Sequence, residues 1–493
     1  MPGEIDRISE LFKDKNVFIS GASGFLGKIL IEKLLRVTEV KTLYLLIRQK
    51  KNKSPKDRLI DIFNHVLFST LKNKNPDVFK KCIIIQGDVL ETNLGIIESD
   101  RILLQNKIDY IFHSAATTRF DETLKYSVQI NTVGTKYMLD LANECKNLKL
   151  FVHISTAFAF PKEQILYEKC YDPPADPHEI VKAICSKENP FTVDMEQAML
   201  ADCPNTYTFS KSLAEGLVKE QMGKLPVIIV RPSVVIPTYK EPIPGFFNNL
   251  QSPMGIFVGG GKGVIRSVFM DSKASANLVP ADSAINGILV SSWDYLTTKQ
   301  QQVFNISIPH EDIKINWEEI IEIGKEVINT KVPFNGIIWY PNGILTKSRW
   351  WHNFNIFLFQ IIPALFLDFL LICLGYKPVL LGINRRLLKG QEMFEYYTTK
   401  AWKIDMKYFM SLRRRMNEIE KKNYQVEAEN VNIANYLKDC LMYARRHIFN
   451  ETDDMIPAAK RNMKIFFVLD RIVKIGFFVL VFYYTYTFLF RSI

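Results

Sequence analysis

The chain has 493 residues, 47% of them hydrophobic, and a net charge of +11. That length exceeds a usual single domain, the composition provides ample core, and no internal repeat or long low-complexity linker interrupts it. The basic excess would suit nucleic acid, but Lys and Arg are scattered and accompany no recognised binding motif; a membrane surface or an acidic substrate accounts for it better, and no nucleic-acid partner is expected. The seven cysteines, at 82, 145, 170, 185, 203, 373 and 440, show neither paired metal-ligand spacing nor an even count. Reduced, mostly structural thiols and no metal site are expected.

Residues 16–20 read as a short buried strand and 28–35 have helical apolar spacing, so Ser20-Gly21-Ala22-Ser23-Gly24-Phe25-Leu26-Gly27 joins a strand to a helix. The same pattern also occurs as a plain tight turn. In the strand-to-helix setting Gly21 permits the turn, Gly24 lets a ligand approach the backbone and Gly27 lets helix pack on strand, while N–H groups at the helix start attract a pyrophosphate. The next strand, 42–47, ends in Arg48, with Lys50, Lys51 and Lys53 following. An acidic residue there would accept the ribose 2′-hydroxyl of NAD, whereas a cation accommodates a 2′-phosphate, so NADPH is the expected cofactor.

Residues 82–89 and 108–113 read as further buried strands. The first ends at Asp88-Val89, a carboxylate suited to an adenine edge; the second runs into Ser114-Ala115-Ala116-Thr117, small residues that allow close cofactor approach. Residues 150–154 deliver Ser155 and Thr156 to the carboxyl end of the sheet, where open α/β sheets bind ligands, and 227–230 lead to Arg231-Pro232-Ser233 beside the nicotinamide. Downstream of the glycine turn, Tyr207 and Lys211 lie four apart in Tyr207-Thr208-Phe209-Ser210-Lys211. On a helix that spacing puts phenol and ammonium on one face, where the cation lowers the phenol's pKa and makes it a usable proton donor or acceptor. A packed ring beside a solvated amine has the same spacing.

These motifs, together with Asn131, Gly134-Thr135, Glu241-Pro242, Pro244-Gly245, Lys262-Gly263 and Arg266, resemble in order and spacing the extended short-chain dehydrogenase/reductases, and within them the alcohol-forming fatty acyl-CoA reductases of the male-sterility family. The likeness covers roughly 16 to 290 and continues more weakly to about 450. It implies a Rossmann-type doubly wound parallel sheet, catalytic roles for Thr156, Tyr207 and Lys211 with Asn131 in support, and a long-chain fatty acyl-CoA substrate reduced through an aldehyde to the alcohol. Ser155 is a rival for the hydroxyl role; strand alternation lets only one of the two face the site, and the family pattern favours Thr156. Ser20 and Ser23 stand where the family usually has Thr, Phe246 replaces a usual Trp and Ala281 a usual Val, the last two touching expected substrate walls.

Gly259-Gly260-Gly261-Lys262-Gly263, followed by Arg266, is a candidate anion-binding nest for the phosphates of CoA, or else a flexible loop with a solvated lysine. Residues 353–376 carry one formal charge, Asp368, in an apolar run kinked by Pro363. A membrane-embedded hairpin, a lid for the fatty chain and a buried helix all fit it. Residues 407–429 read as a solvated, charged helix face and 431–449 as a further helix. Residues 475–490 are uncharged and, extended back to Ile472, read as a transmembrane helix; Lys464, Arg471 and Lys474 precede it and Arg491 follows, which places the bulk of the chain in the cytosol. The resulting division is a cofactor domain at 1–300, a mainly helical C-terminal domain at 350–450 and a membrane helix at 472–490. The ending Arg491-Ser492-Ile493 is not a peroxisomal Ser-Lys-Leu, so the endoplasmic reticulum is expected before the peroxisomal membrane. Two other functions share these motifs: a membrane-bound dehydrogenase or epimerase acting on a sterol or a nucleotide sugar, and a non-catalytic nucleotide-binding scaffold, which would have little need of Thr156, Tyr207 and Lys211 together.

Overall fold

The structure is a computed structural model and describes residues 4–50, 53–186, 193–200, 203–250, 254–308, 316–426 and 431–490. Lys51 and the terminal Arg491-Ser492-Ile493 lie outside the described residues. Two compact units are present, and they interleave in sequence where composition drew a linear division. The first comprises Met1–Ile243, Asn277–Ile313 and Trp402–Glu429; the second comprises Pro244–Ala276, Lys314–Ala401 and Asn430–Ile493.

The first unit is built on a seven-stranded sheet. Its strands, in chain order, are Asn16–Ser20, Thr42–Ile47, Cys82–Gln86, Tyr110–His113, Leu150–Ile154, Val227–Pro232 and Val303–Ile306. Every pairing is parallel, and across the sheet they run third, second, first, fourth, fifth, sixth, seventh. The order reverses between the first and fourth strands. At such a switch point the loops leaving the two strands diverge and open a crevice at the carboxyl edge. Inner strands such as Leu150–Ile154 are buried along their whole length, as helices on both faces require. Cys82–Gln86 differs because it is the sheet's edge, and Ile83 there is exposed. It also stops at Gln86, three residues short of expectation, because the chain turns through left-handed Asn93 and Leu94 and returns to Asp88, whose N–H donates to the Leu94 carbonyl.

Helix Phe25–Val37 begins directly at the glycine turn, with Gly24 as a cap that offers no side-chain hydrogen bond. From Gly27 to Leu35 every residue is buried, including Glu32 and Lys33. Lys33 is accommodated by Glu241 and by the Asn423 carbonyl. That contact shows why 402–426 belongs to the first unit: Glu420, fully buried, pairs with Arg7 at 2.7 Å, and Arg415 pairs with buried Asp294. The expected solvated helix at 407–429 is thus three short turns, Lys407–Leu412, Arg413–Arg415 and Glu418–Asn423, carrying charges that answer buried partners.

In the second unit, helices Met254–Gly261, Trp317–Thr330 and Ile433–Tyr443 surround a parallel strand pair, Ser267–Phe269 with Ile344–Thr346. Phe246 is fully buried with its ring edge-on to Tyr443 at 5.6 Å, and Ala281 is fully buried at the start of helix Ala281–Thr298. Both are core positions rather than substrate walls. Helix Ile456–Phe490 runs for 35 residues, and its apolar side chains beyond Ile472 are exposed.

Candidate active site

Gly21 has φ +73°, and a Cβ there would come within 2.7 Å of the Ala115 amide nitrogen; one at Gly27 would lie 2.2 Å from the Gly21 carbonyl oxygen. Both positions exclude any side chain, so the turn, the start of the helix and the 114–117 segment are in mutual backbone contact. Ser20 locks this arrangement, its hydroxyl accepting the Ala115 N–H at 3.2 Å and meeting His113 Nδ1 at 2.7 Å. His113 Nε2 lies 2.9 Å from Thr135 Oγ1, which donates to the Asn131 carbonyl at 2.6 Å. Because Thr135 uses its proton on Asn131, it accepts from His113 Nε2–H, which leaves Nδ1 to accept from Ser20. Burial, reinforced by Lys211, pushes His113 down to about 3, so this relay stays neutral.

Asn131 sits in a single π-helical turn, Gln129–Val133, between helices Leu124–Val128 and Gly134–Glu144. Its amide is a clamp: Oδ1 accepts the Thr117 N–H at 2.9 Å, and Nδ2 donates to the Thr117 carbonyl at 3.1 Å and to Ser210 Oγ at 3.0 Å. Ser210 belongs to helix Thr206–Lys219, which Asn205 caps by accepting the Thr208 N–H. The adjacent Lys211 directs Nζ to the Ile154 carbonyl, donating at 2.7 Å, at the end of the fifth strand and two residues before Thr156. Glycine turn, small-residue segment, Asn131, helix and strand end are therefore joined by one chain of contacts. Tyr207, half-buried, stacks beside Phe120 with centroids 5.6 Å apart.

The two adjacent hydroxyls are differently engaged. Ser155 donates to Glu215 at 2.5 Å, and Glu215 in turn receives Arg231 Nη2 at 2.6 Å. Thr156 accepts the Phe158 N–H at 3.3 Å and, among the described residues, donates to none. Arg231 corrects an expectation: it is fully buried, faces the rings of Phe160 and Tyr171 as well as Glu215, and its guanidinium is committed to the interior rather than to a cofactor. Pro232 and Ser233 remain at the edge, and Ser233 Oγ is buried with no partner. At the second strand, Arg48 pairs with Asp88 at 3.2 Å, and Arg58, which the sequence reading missed, donates to Ser23 Oγ at 2.9 Å and to the Arg48 carbonyl at 2.6 Å. Its only sequence signal is a second arginine ten residues after Arg48. Lys53 is taken up by Asp61.

The CoA nest is not formed. Gly259, Gly260 and Gly261 are helical, Lys262 lies over the Phe449 ring at 4.0 Å and donates to the Asn335 carbonyl, and Arg266 donates to the Tyr340 carbonyl and pairs with Asp470. A run of glycines wedged between apolar neighbours continues a helix when packing demands it. Alongside it the second unit has an apolar cavity of about 50 Å³, lined in part by Phe257, Gly260, Ile321, Ile328 and Leu345.

Residues 19–288 match the dinucleotide-binding profile of the family described as male sterility protein, and 359–451 match its Sterile profile. The chain belongs to the male-sterility family. It is 35% identical to fatty acyl-CoA reductase wat of Drosophila melanogaster over 90% of this chain and 86% of that one, and 32% identical to human fatty acyl-CoA reductase 1 over 92% and 89%. Among solved structures, the terminal reductase domain of the myxalamid pathway has the same fold, with TM-score 0.61 at 17% identity over 89% of this chain and 92% of that one. A reductase domain of a Mycobacterium tuberculosis peptide synthetase gives 0.58 at 18%, over 90% and 96%. The protein is accordingly an oxidoreductase with a nicotinamide cofactor. The crevice fits that group: Lys211 is 3% exposed yet its Nζ spends one of its three N–H donors on the described residues, and among them Ser233 Oγ, at the same sheet edge, finds no partner.

Replacing Arg231 with Ala should leave Glu215 charged and unpaired in the core and destabilise the protein by about 3–5 kcal/mol, seen as an earlier urea midpoint. An unchanged midpoint would show that the pair is not structural.

Proposed function

We propose that the protein reduces long-chain fatty acyl-CoA to the primary alcohol with NADPH. The observation that carries this reading is the buried Lys211 ammonium, fixed to the Ile154 carbonyl beside Thr156 and one helical turn from Tyr207. A bound nicotinamide would supply hydride to the thioester carbonyl. The Tyr207 hydroxyl gives a proton to the oxygen as negative charge develops, and Thr156, whose own proton is uncommitted, donates a hydrogen bond to the same atom. The remaining N–H groups of Lys211 would be available to the ribose hydroxyls of a bound cofactor. Breaking the C–S bond of the hemithioacetal releases CoA as thiol and leaves an aldehyde, whose reduction takes its hydride from a second NADPH, with the same two hydroxyls again donating to the oxygen.

Preference for NADPH is supported by Arg48 and Arg58, two cations at the end of the second strand, one of them bonded to the glycine turn through Ser23. Membrane attachment is supported by the exposed apolar surface of helix Ile456–Phe490 beyond Ile472, with Lys464, Arg471 and Lys474 on its near side. That polarity supports a cytosolic sheet unit, and the endoplasmic reticulum, before the peroxisomal membrane, is the membrane we propose.

Changing Tyr207 to Phe should lower kcat by roughly a hundred- to ten-thousand-fold for both acyl-CoA and aldehyde; an active variant would assign the proton to another group. Burial lowers the Lys211 pKa to about 8, against a weaker opposing pull from Glu215. The protonated form is the useful one, so kcat/KM should fall as pH rises through about 8, and the residual activity of Lys211→Arg should lack that limb. Persistence of the limb in the arginine variant would trace it elsewhere. For Arg58→Ala, KM for NADPH should rise about ten- to a hundred-fold, the loss of one charge-assisted contact, with little change for NADH; equal effects on both cofactors would place Arg58 away from the 2′-phosphate.

A further inference from the structure

One helix among the described residues, Arg349–Cys373, is long and apolar enough to cross a membrane. Its far end does not continue outward. Gly375, at φ +80°, closes the helix with its own N–H on the Ile372 carbonyl and the Tyr376 N–H on the Leu371 carbonyl, a Schellman closure. The chain then reverses into helix Leu380–Thr398. Asp368, the one carboxylate in the run, accepts the N–H groups of Val379, Leu380 and Leu381, each at 2.9 Å. It caps the returning helix and is itself 3% exposed amid apolar side chains that are not: Leu374 is 72% and Tyr376 67% exposed.

We propose that this helix and its return form a hairpin that enters one leaflet of the bilayer and comes back to the same side. Three observations select lipid as the occupant. Hydrocarbon demands that backbone groups be satisfied internally, and among the N–H groups from 374 to 381 only that of Lys377 lacks a partner, Pro378 having none to satisfy. The exposed cations Arg385, Arg386 and Lys389 follow on the return helix, placed to meet anionic headgroups. Phe359 meets Phe477 edge-on at 6.5 Å, which joins the hairpin to the apolar surface of the C-terminal helix. Depth is bounded by the same cations. Lys377, exposed in the turn itself, can return its ammonium to the headgroups only from a shallow position, and Arg385 lies five residues beyond Leu380, about 8 Å at a rise of about 1.5 Å per residue, against a hydrocarbon core of about 30 Å. A span would drag Arg385, Arg386 and Lys389 into that core.

The test uses the full-length chain in phosphatidylcholine–phosphatidylserine vesicles, with both exposed cysteines replaced (Cys185→Ser, Cys373→Ser) and Tyr376→Cys or Leu374→Cys added. Both tip positions are surface residues whose exchange leaves the fold intact. A membrane-impermeant maleimide on the side bearing the sheet unit should label them about ten-fold or more slowly than a Lys80→Cys reference, because a thiolate forms poorly in apolar surroundings, and detergent should abolish the difference. A fluorophore at 376 should be quenched by lipids carrying a nitroxide near the headgroup. Labelling from the opposite side only would establish a span and overturn the hairpin. Labelling as fast as the reference would show no insertion, and slow labelling without nitroxide quenching would show a protein cover; either overturns it. None of these readouts depends on turnover, so the catalytic assignment stands or falls separately.

Discussion

An ammonium buried at the end of a sheet is costly unless its surroundings hold it, and the site is organised around that requirement. Lys211 has one fixed acceptor, the Ile154 carbonyl, and a carboxylate, Glu215, one turn further along the same helix. Glu215 is itself held by Arg231 and Ser155, so the charge near Lys211 is anchored to two strand ends at once. The buried ion pair therefore does more than fill the core. It fixes the helix that carries Tyr207 against the strand that carries Thr156, and it draws Ser155 to the interior so that the adjacent hydroxyl is the uncommitted one.

The neutral relay from Ser20 through His113 and Thr135 to the Asn131 carbonyl has a related role on the other side of the crevice. A charged histidine beside Lys211 would raise the cost of the buried ammonium, and burial keeps His113 uncharged across the working pH range. The relay ends on the Asn131 backbone carbonyl, while the side-chain amide of the same residue clamps Thr117 and Ser210. A π-turn at Asn131 is the local distortion that lets a helical residue reach both neighbours.

What was legible in the sequence is what depends on neighbours in the chain. The glycine turn, the alternation of strands and helices and the Tyr207–Lys211 spacing are local patterns, and the parallel sheet follows from them. What was not legible depends on partners brought from afar. Arg231 was read as a strand-end ligand because its neighbours are, yet Glu215 lies on another element and claims it. Arg58 reaches Ser23 across 35 residues, and nothing in its own segment announces that. Composition offers the glycines at 259–261 as an anion-binding nest or a flexible loop, but Ile328 and Phe334 crowd Gly261 and Ile265 crowds Gly259, a packing that composition does not encode. The interleaving of the units has the same origin: Glu420 and Arg415 are ordinary surface charges in sequence, and only in the fold does Glu420 become the buried partner of Arg7 and Arg415 the partner of buried Asp294.

Asp368 shows how a residue that looks like an objection becomes an explanation. In a straight helix a carboxylate among apolar side chains argues against lipid, and that is how the sequence presents it. Folding back the chain gives the carboxylate three N–H donors at a helix N-terminus, where negative charge is favoured, so the same residue that forbids a span stabilises a turn. The apolar helix and the C-terminal helix are then not two equivalent spans. One has a capped turn and cations close to the tip, while the other presents a mostly apolar, exposed face from Ile475 onward, broken by Thr485 and Thr487, whose hydroxyls donate to carbonyls of their own helix. If the hairpin enters the bilayer as proposed, it offers the second unit an apolar surface at the depth where long hydrocarbon tails partition.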